Sequence, residues 1–178
     1  MRFLAAVFAL FLCVLNAAAE ENSRERVGIY EAKLVELAKK EAIIDAIKRA
    51  NDEPPAEMDN EKWASLADTD EIVRAATQNE AAKLIRQFEA DKGVKKVYLR
   101  NSRGVIIAGS AKAPLYNDAK HKHIAAALAD FAPRSLPVKT DPLSGAKTIW
   151  IAVPVMENSK AIGVLHTEII LQASEARP

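Results

Sequence analysis

The chain has 178 residues, of which 49% are hydrophobic and 28% are charged, with 25 Lys and Arg against 24 Asp and Glu. This length suits one domain that can bury a core. The balanced charge gives no global attraction to nucleic acid or to an anionic membrane surface, so no nucleic-acid partner is expected.

Residues 1–19 have the pattern of a secretory signal peptide. Arg2 supplies a minimal positive start, Phe3–Leu15 is an uncharged apolar run, and an alanine triplet ends at Ala19, just before Glu20. This arrangement is typical of a signal peptide with an A-x-A cleavage site. We therefore expect cleavage after Ala19.

Two other interpretations of this segment are an uncleaved membrane anchor and a lipoprotein signal. The apolar run is shorter than the roughly 20 residues that span a bilayer comfortably. Bulky residues precede Cys13, where a lipidation site needs small ones. After cleavage, the chain 20–178 has no cysteine and carries 24 Lys and Arg against 24 Asp and Glu. It is expected to be one periplasmic or secreted domain that has no disulfide and does not span the membrane.

The first half of the expected mature chain has the composition and spacing of helices. Ser23–Asn51 predicts one long helix, because Ala, Leu, Lys and Glu dominate and Pro54-Pro55 end it. Its apolar stripe at helical spacing is expected to face the core, and consists of Tyr30, Leu34, Leu37, Ile44 and Ile47.

Two further helices are predicted before the pattern changes. Met58–Leu66 is a short helix or turn that carries Trp63, and Glu71–Asp91 begins with acidic residues that favour a helix start. Gly93 suits the C-cap of the longer helix. The side chains expected to be buried from that helix are Ile72, Ala76, Leu84, Ile85 and Phe88.

The second half of the chain has the alternation of β-strands. A helical insert, residues 111–131, interrupts it; the insert is irregular over Ala111–Ala119 and helical over Lys120–Phe131. The predicted strands are Val94–Arg100, Val105–Ser110, Val138–Thr140, Thr148–Met156 and Ala161–Ile170, and the predicted turns are Asn101–Gly104, Asp141–Gly145 and Glu157–Lys160.

This order of elements predicts an α+β fold. Its antiparallel sheet has about five strands, with a long N-terminal helix before it and the helical insert within it. Along Thr148–Met156, both the odd and the even positions are mostly apolar. Since successive side chains of a strand point to opposite faces, both faces of this part of the sheet are expected to be covered.

Several segments of the sequence together resemble a Cache domain, the PAS-like extracytoplasmic sensor of bacterial chemoreceptors and histidine kinases. Besides the long N-terminal helix, they are the hairpin around Asn101–Gly104, the turn Thr140–Gly145, and Ile151–Val155 followed by Ile162–Leu165. The resemblance covers about residues 25–170. It implies a PAS-like sensor with a ligand pocket between the sheet and the insert, and a membrane receptor or histidine kinase as partner.

The Cache sensors for amino acids resemble one another in three features. These are an Arg-x-Trp pair in the insert, an aromatic-x-Asp pair before the next turn, and an acidic residue on the last strand. This chain has His121-Lys122-His123 and Lys139-Thr140-Asp141 in place of the two pairs, and Glu168 can stand for the acid. These partial matches do not support an amino-acid ligand.

The insert is locally basic between Lys112 and His123, where Asp118 is the only acid. Cationic groups beside a cavity suit a small organic anion; the alternative is a solvated helix start with ordinary surface lysines. The aromatic and histidine side chains on the strands suit either the pocket or the core. The candidate ligand-binding residues are Tyr98, Arg100, Tyr116, His121, His123, Asp141, Trp150, His166 and Glu168, with Asp141 and Glu168 favoured if the ligand is a cation.

The sequence has no catalytic motif of the metalloprotease, hydrolase, phosphate-loop or haem-attachment type. His121 and His123 are two apart and would face different ways on a helix, so no metal site is expected. No cofactor and no enzymatic activity are expected either. The sequence predicts an exported sensory module that binds a small molecule. The alternative is a protein-interaction module of the same fold whose pocket is filled by side chains.

Overall fold

The computed structural model describes three stretches of the chain, residues 21–53, 57–142 and 145–172. The predicted signal peptide, the Pro54-Pro55 helix stop and the centre of the 141–145 turn lie outside these residues. Within these three stretches, no helix has both the length and the apolar character that crossing a bilayer requires.

The N-terminal helical region is two helices, so the prediction of one helix over Ser23–Asn51 is wrong. Helix α1 occupies residues 21–38, and helix α2 is Glu41–Asp52. Lys40 between them has an extended backbone (φ −67°, ψ 133°), and its carbonyl accepts the first hydrogen bonds of α2. Neither Pro nor Gly marks the break, so helix propensity does not reveal it.

The break changes which side chains reach the core. An uninterrupted helix would continue the stripe of Leu34 to Ile44, but α2 buries Ile43 and Ile47 completely and Ile44 only in part. Ile47 is buried, as the predicted stripe requires, whereas Ile43 takes the core position expected of Ile44. The physical gain is burial of the more apolar face of α2.

Three short helices follow. Helix α3, Asn60–Ser65, lies within the predicted short helix, and its Trp63 is fully buried. The predicted helix Glu71–Asp91 is wrong in one respect, because it is divided into α4, Glu71–Gln78, and α5, Glu80–Glu89. Asn79 divides them: its side-chain oxygen accepts the Ala82 N–H at 2.8 Å and caps the new helix.

The core-facing side of α4 and α5 differs in part from the predicted one. Ala76 and Ile85 are buried, but Ile72 is 46% exposed and its neighbour Val73 is buried instead. The C-cap of α5 is Ala90, so Gly93 is not the cap that the sequence suggested. Gly93 lies directly before the first strand, where a Cβ would come within 1.9 Å of the Tyr30 hydroxyl.

Six strands and one helix make up the second half of the described chain: β1 (Val94–Asn101), β2 (Ile106–Gly109), helix α6 (Lys122–Asp130), β3 (Arg134–Ser135), β4 (Lys139–Thr140), β5 (Lys147–Glu157) and β6 (Lys160–Gln172). The sheet has the order β2-β1-β6-β5-β3, with β4 also paired to β5, and all pairs are antiparallel. This confirms the α+β prediction of an antiparallel sheet with about five strands. The two-residue strand β3 was not predicted.

The longest hairpin of the fold, β5–β6, is tighter than the sequence predicted. Glu157 pairs with Lys160, so the loop is the two residues Asn158 and Ser159 and not four. Both have positive φ, 47° and 63°. That backbone matches the right-handed twist of the flanking strands, and Asn is among the residues that adopt it most readily.

The two faces of the sheet have different coverings. On one face, α1, α2 and α5 pack against Val97, Leu99, Ile151 and Val153 in the largest apolar cluster. The opposite face carries the alternate residues of the same strands, and the insert lies against it through α6. Both faces are therefore covered, as the apolar pattern of β5 predicted.

Candidate functional site

A cavity of about 230 Å³ lies between the insert and the sheet face opposite α1, α2 and α5. Its floor is formed by side chains of β1, β5 and β6. Its roof is formed by the insert and by the segment that contains β3 and β4. The floor residues are Tyr98, Arg100, Trp150 and His166, and the roof residues are Pro114, Leu115, Asp118, His121, His123, Leu136 and Lys139.

The register of the sheet brings the aromatic floor together. Tyr98 on β1 lies opposite His166 on β6, and Trp150 comes from β5 on the other side of β6. The His166 ring centroid is 5.5 Å from that of Tyr98 and 5.4 Å from that of Trp150. The Tyr98 and Trp150 rings are nearly parallel, 12° apart in plane and 6.3 Å between centroids. Burial raises the pKa of Tyr98 to about 12, so its hydroxyl stays neutral.

Arg100 is 1% exposed and holds the insert onto the sheet. Its Nη1 donates to the carbonyls of Gly104 and Tyr116, at 3.0 and 3.1 Å, and its Nη2 donates to that of Leu115 at 3.2 Å. Nη2 is also 3.6 Å from an Asp118 carboxylate oxygen. Burial lowers the pKa of Arg100 to about 10, and Asp118 opposes that shift, so the guanidinium stays charged near neutral pH.

These contacts change the role expected of Arg100. Three of its five N–H groups bond to backbone carbonyls, and its Nε donates to His166 Nε2 at 3.0 Å. A ligand carboxylate could take the usual two-pronged arginine contact only by displacing these acceptors. The guanidinium therefore adds positive charge to the cavity and holds the insert in place. Its N–H groups are not free to make a two-pronged contact with a ligand carboxylate.

His166 is 2% exposed, and its tautomer is set by Arg100. Since Nε2 accepts the Arg100 Nε–H, the ring proton of the neutral form must lie on Nδ1. Nδ1 is buried and has no hydrogen-bond partner among the described residues. Burial, followed by the charge of Arg100, lowers the pKa of His166 well below its usual value.

His123 is in the first turn of α6 and is 5% exposed. Its ring is 5.6 Å from that of His166 and 6.1 Å from that of Trp150, measured between centroids. Both ring nitrogens are buried without a partner among the described residues. Burial lowers the pKa of His123 to about 4, with His121 and Arg100 adding to the shift, so the ring is neutral at pH 7.

His121 and Asp118 form the polar edge of the cavity. His121 is the N-cap residue of α6 (φ −67°, ψ 126°), so helical periodicity does not separate its ring from that of His123. The two rings are 5.8 Å apart, contrary to the expectation that they face different ways. His121 Nδ1 contacts one Asp118 oxygen, and the other faces Arg100. Asp118 is thus already engaged by two basic groups.

Six of the nine candidate residues line the cavity, and three do not. The Tyr116 ring packs on Trp63, 5.6 Å between centroids, although its carbonyl accepts from Arg100. Glu168 is 3.4 Å from the Lys95 ammonium. Asp141 lies in the turn between β4 and β5, where its N–H donates to the Ala146 carbonyl.

Sequence reasoning did not select five of the lining residues as binding candidates: Pro114, Leu115, Asp118, Leu136 and Lys139. Two of them carried a usable signal. Asp118 is three residues before His121 at a helix start, a spacing that allows a side-chain pair. Lys139 occupies a position already compared with the amino-acid sensors. The apolar three carry no signal, because only the folded chain places them.

The insert is anchored from behind by α3. Trp63 Nε1 donates to the Ala113 carbonyl at 2.7 Å, and Lys112 Nζ donates to carbonyls at the end of α3. Gly104, in the β1–β2 turn, has φ +78°, and a Cβ there would lie 2.5 Å from the Ala119 nitrogen. The insert, which forms most of the roof of the cavity, is therefore held by contacts with α3 and with the β1–β2 turn.

The three histidines of the chain converge on this cavity. Over the described parts of the chain, no cluster of three His, Cys, Asp or Glu side chains has a geometry that could hold a metal ion. The chemistry that the site offers is hydrogen bonding by neutral imidazoles, an aromatic floor and net positive charge.

Solved structures of sensor domains are similar to this chain in fold. The histidine kinase DctB sensor domain of V. cholerae matches with a TM-score of 0.57 at 14% identity, over 85% of this chain and 52% of that one. A domain of a putative sensory box/GGDEF family protein of Vibrio parahaemolyticus matches with a TM-score of 0.51 at 10% identity, over 88% and 57%. The ligand-binding domain of the Pseudomonas aeruginosa amino acid chemoreceptor PctC, in complex with GABA, matches with a TM-score of 0.47 at 14% identity, over 88% and 59%.

The chain spans about half the length of these structures. No family model and no curated protein matches its sequence. The chain has the fold of the Cache-type extracytoplasmic sensor domains, which confirms the resemblance found in the sequence.

Proposed function

We propose that this chain is an exported sensory module that binds a small organic carboxylate in the cavity between the insert and the sheet. The observation that carries the proposal is a set of buried ring nitrogens in that cavity, both of those of His123 and Nδ1 of His166, which have no hydrogen-bond partner in the described part of the chain. Buried polar groups normally have hydrogen-bond partners, so these atoms indicate a polar occupant.

The charge of the lining favours an acid over an amine. Asp118 is the only carboxylate among the lining residues, and Arg100 and His121 already engage it. An ammonium group would find no free carboxylate there, whereas Lys139 at the roof can meet a carboxylate. The floor formed by Tyr98 and Trp150 suits the apolar body of the same ligand.

This charge pattern also argues against a free amino acid as ligand. A PctC structure with a similar fold contains GABA. In the present chain, the two other acids that were candidates, Asp141 and Glu168, are not among the cavity-lining residues. The proposed ligand therefore has an acid group and no amine.

The proposed role in signalling is to report cavity occupancy to a membrane receptor or histidine kinase. The fold likeness to the DctB sensor domain of a histidine kinase supports this role. The predicted signal peptide supports an exported location. The alternative of an interaction module with a filled pocket is less favoured, because a cavity of about 230 Å³ lies where the pocket was expected.

A thermal-shift screen of small carboxylates, amines and amino acids on residues 20–178 tests the proposal. A ligand at 100 times its dissociation constant should add about 2.7 kcal/mol to the free energy of unfolding. We expect shifts with carboxylates and none with amines. A screen in which only amines or amino acids shift the transition would contradict the carboxylate assignment.

Lys139→Gln is the matched test of the site. Removing this ammonium should weaken carboxylate binding about three- to tenfold, which is roughly 0.7–1.4 kcal/mol. The control is Lys160→Gln, at an exposed lysine that begins β6 and does not line the cavity. It should leave the dissociation constant unchanged. Equal affinities for the two variants, measured by calorimetry, would show that Lys139 does not contribute to carboxylate binding.

A further inference from the structure

We propose that the cavity binds its carboxylate together with one proton, and that His123 carries this proton in the complex. The inference rests on the proposed function and goes further, because it names the residue that would make binding depend on pH. The proton comes from solvent and is held on a ring nitrogen, so no covalent bond of ligand or protein is broken.

His123 occupies a buried position among the aromatic rings of the cavity. Its ring is 5% exposed and lies between three other rings of the cavity, those of His121, Trp150 and His166. Neither ring nitrogen has a partner among the described residues. A neutral imidazole offers one donor and one acceptor, and protonation turns both nitrogens into donors. A carboxylate, which only accepts, is then satisfied better than by the neutral ring.

Charged and titratable groups face His123 from the elements packed around it. They are Tyr98 and Arg100 on β1, Asp118 and His121 in the insert, Lys139 on β4 and His166 on β6. Without ligand, a proton on His123 would stand near the cations Arg100 and Lys139. Asp118, the one carboxylate of this set, is already engaged by Arg100 and His121, so the proton would have no counterion of its own. A ligand carboxylate supplies that counterion, so proton and acid favour each other's binding.

His123 differs from the other two histidines in the partners of its ring nitrogens. His166 Nε2 accepts from the Arg100 Nε–H, so protonation there would set one N–H against another. The His121 side chain is 55% exposed, and its Nδ1 already contacts Asp118. His123 alone of the three has both nitrogens buried and without a described partner.

The direction of the pH effect follows from linkage. In the empty protein the pKa of His123 is lowered to about 4 by burial, and a bound carboxylate must raise it. Between the free and the bound pKa values, binding takes up a proton, so affinity increases as the pH falls. Below the free value the ring is already charged, and the effect ends.

The experiment uses residues 20–178 with acetate, propionate, pyruvate and benzoate as probes, in EDTA-containing buffer to exclude metals. The tightest probe is titrated calorimetrically at pH 5.5 and 7.5. At pH 6.5 the titration is repeated in PIPES and in ACES, two buffers with different ionisation enthalpies. We expect at least tenfold tighter binding at pH 5.5 than at 7.5. We also expect a buffer-dependent heat that corresponds to uptake of between about half a proton and one proton, since a tenfold change over this pH range implies about half a proton at pH 6.5.

Two variants assign the proton. His123→Gln keeps a donor and an acceptor but cannot be protonated, so its affinity should vary less than twofold between the two pH values. His121→Gln should keep the pH dependence of the wild type, whatever its affinity. If His123→Gln does not fold, long-range ¹H–¹⁵N spectra of the wild-type histidines replace it; they should show one ring whose titration moves to higher pH when the probe is added.

The outcomes distinguish a failure of the proton-coupled role of His123 from a failure of the carboxylate site. Binding without proton uptake and without pH dependence would overturn the role of His123 and leave the carboxylate site standing. Proton uptake that survives in His123→Gln, or a spectrum in which the titration that moves with the probe belongs to another ring, would also overturn it. If none of the four acids binds at either pH, both proposals fail.

Discussion

Arg100 shows how a single buried side chain can organise the site without being its ligand-binding group. Its guanidinium joins β1 to three carbonyls, those of Gly104, Leu115 and Tyr116, and to His166 on β6. A buried charge in this setting is tolerated because its N–H groups are occupied and Asp118 is near. The tautomer of His166, and with it the donor offered to the cavity, depends on this arginine.

Arg100→Ala should therefore destabilise the empty protein. It leaves several buried acceptors unsatisfied and deprives Asp118 of its buried counterion, so the expected loss is on the order of 3–5 kcal/mol in urea unfolding. An arginine that only contacted the ligand would instead lower the affinity when replaced and leave the unfolding midpoint unchanged.

Arg103→Ala is a matched control for this prediction. Arg103 also donates to three backbone carbonyls, those of Ala50, Asn51 and Glu53, but it is exposed. Water can replace its hydrogen bonds, so its removal should cost no more than about 1 kcal/mol. Equal losses for Arg100→Ala and Arg103→Ala would show that burial does not determine the cost.

At the scale of the element, the helical half of the molecule is defined by breaks that lack strong sequence signals. The carbonyl of Lys40 starts α2, and Asn79 ends α4 and starts α5. In both places the chain gives up a few helical hydrogen bonds and changes direction to bury a new apolar face. Asn79 compensates through its side chain, which donates to the carbonyls of Ala75 and Ile107 and accepts from Ala82.

Asn79→Ala tests this role. Loss of the cap and of two amide hydrogen bonds should lower the free energy of unfolding by about 1–2 kcal/mol. Asn79→Asp keeps the capping oxygen and loses only the donors, so it should be less destabilising. Thermal unfolding of the two variants gives the comparison. An alanine variant as stable as the wild type would mean that α4 and α5 need no cap at this position.

At the scale of the whole molecule, β5 is the strand on which the layers meet. It pairs with β6 along its length and with β3 and β4 on its other edge. Ile151 and Val153 face α1, α2 and α5 from it, while Trp150 faces the cavity. One strand thus supplies both the core and the floor of the site.

Ile151→Ala should cost on the order of 2–5 kcal/mol, because its side chain is fully buried and a cavity would remain. The control on the same strand is Met156→Ala, at a side chain that is 37% exposed; it should cost less than about 1 kcal/mol. Urea unfolding of both variants measures the difference. A loss below roughly 1 kcal/mol for Ile151→Ala would contradict its place in the core.

The sequence alone determined the alternation of the strands and the class of the elements other than the two-residue strand β3. The apolar pattern of Thr148–Met156 predicted that both faces of β5 are covered, because side chains of a strand alternate, a local property that needs no partner. The same rule put Tyr98 and Arg100 on one face of β1. The basic insert and the aromatic strand residues were enough to predict six of the lining residues.

Only the tertiary structure decided which face of β1 meets the insert, and what Arg100 binds there. The acceptors of Arg100 lie 4, 15, 16 and 66 residues away along the chain. The helix break at Lys40 likewise follows from burial of Ile43 and Ile47, and not from a residue that ends helices. The physical reason is the same in each case: hydrogen-bond partners and buried surface are set by contacts between distant segments, and local propensity and periodicity do not specify those contacts.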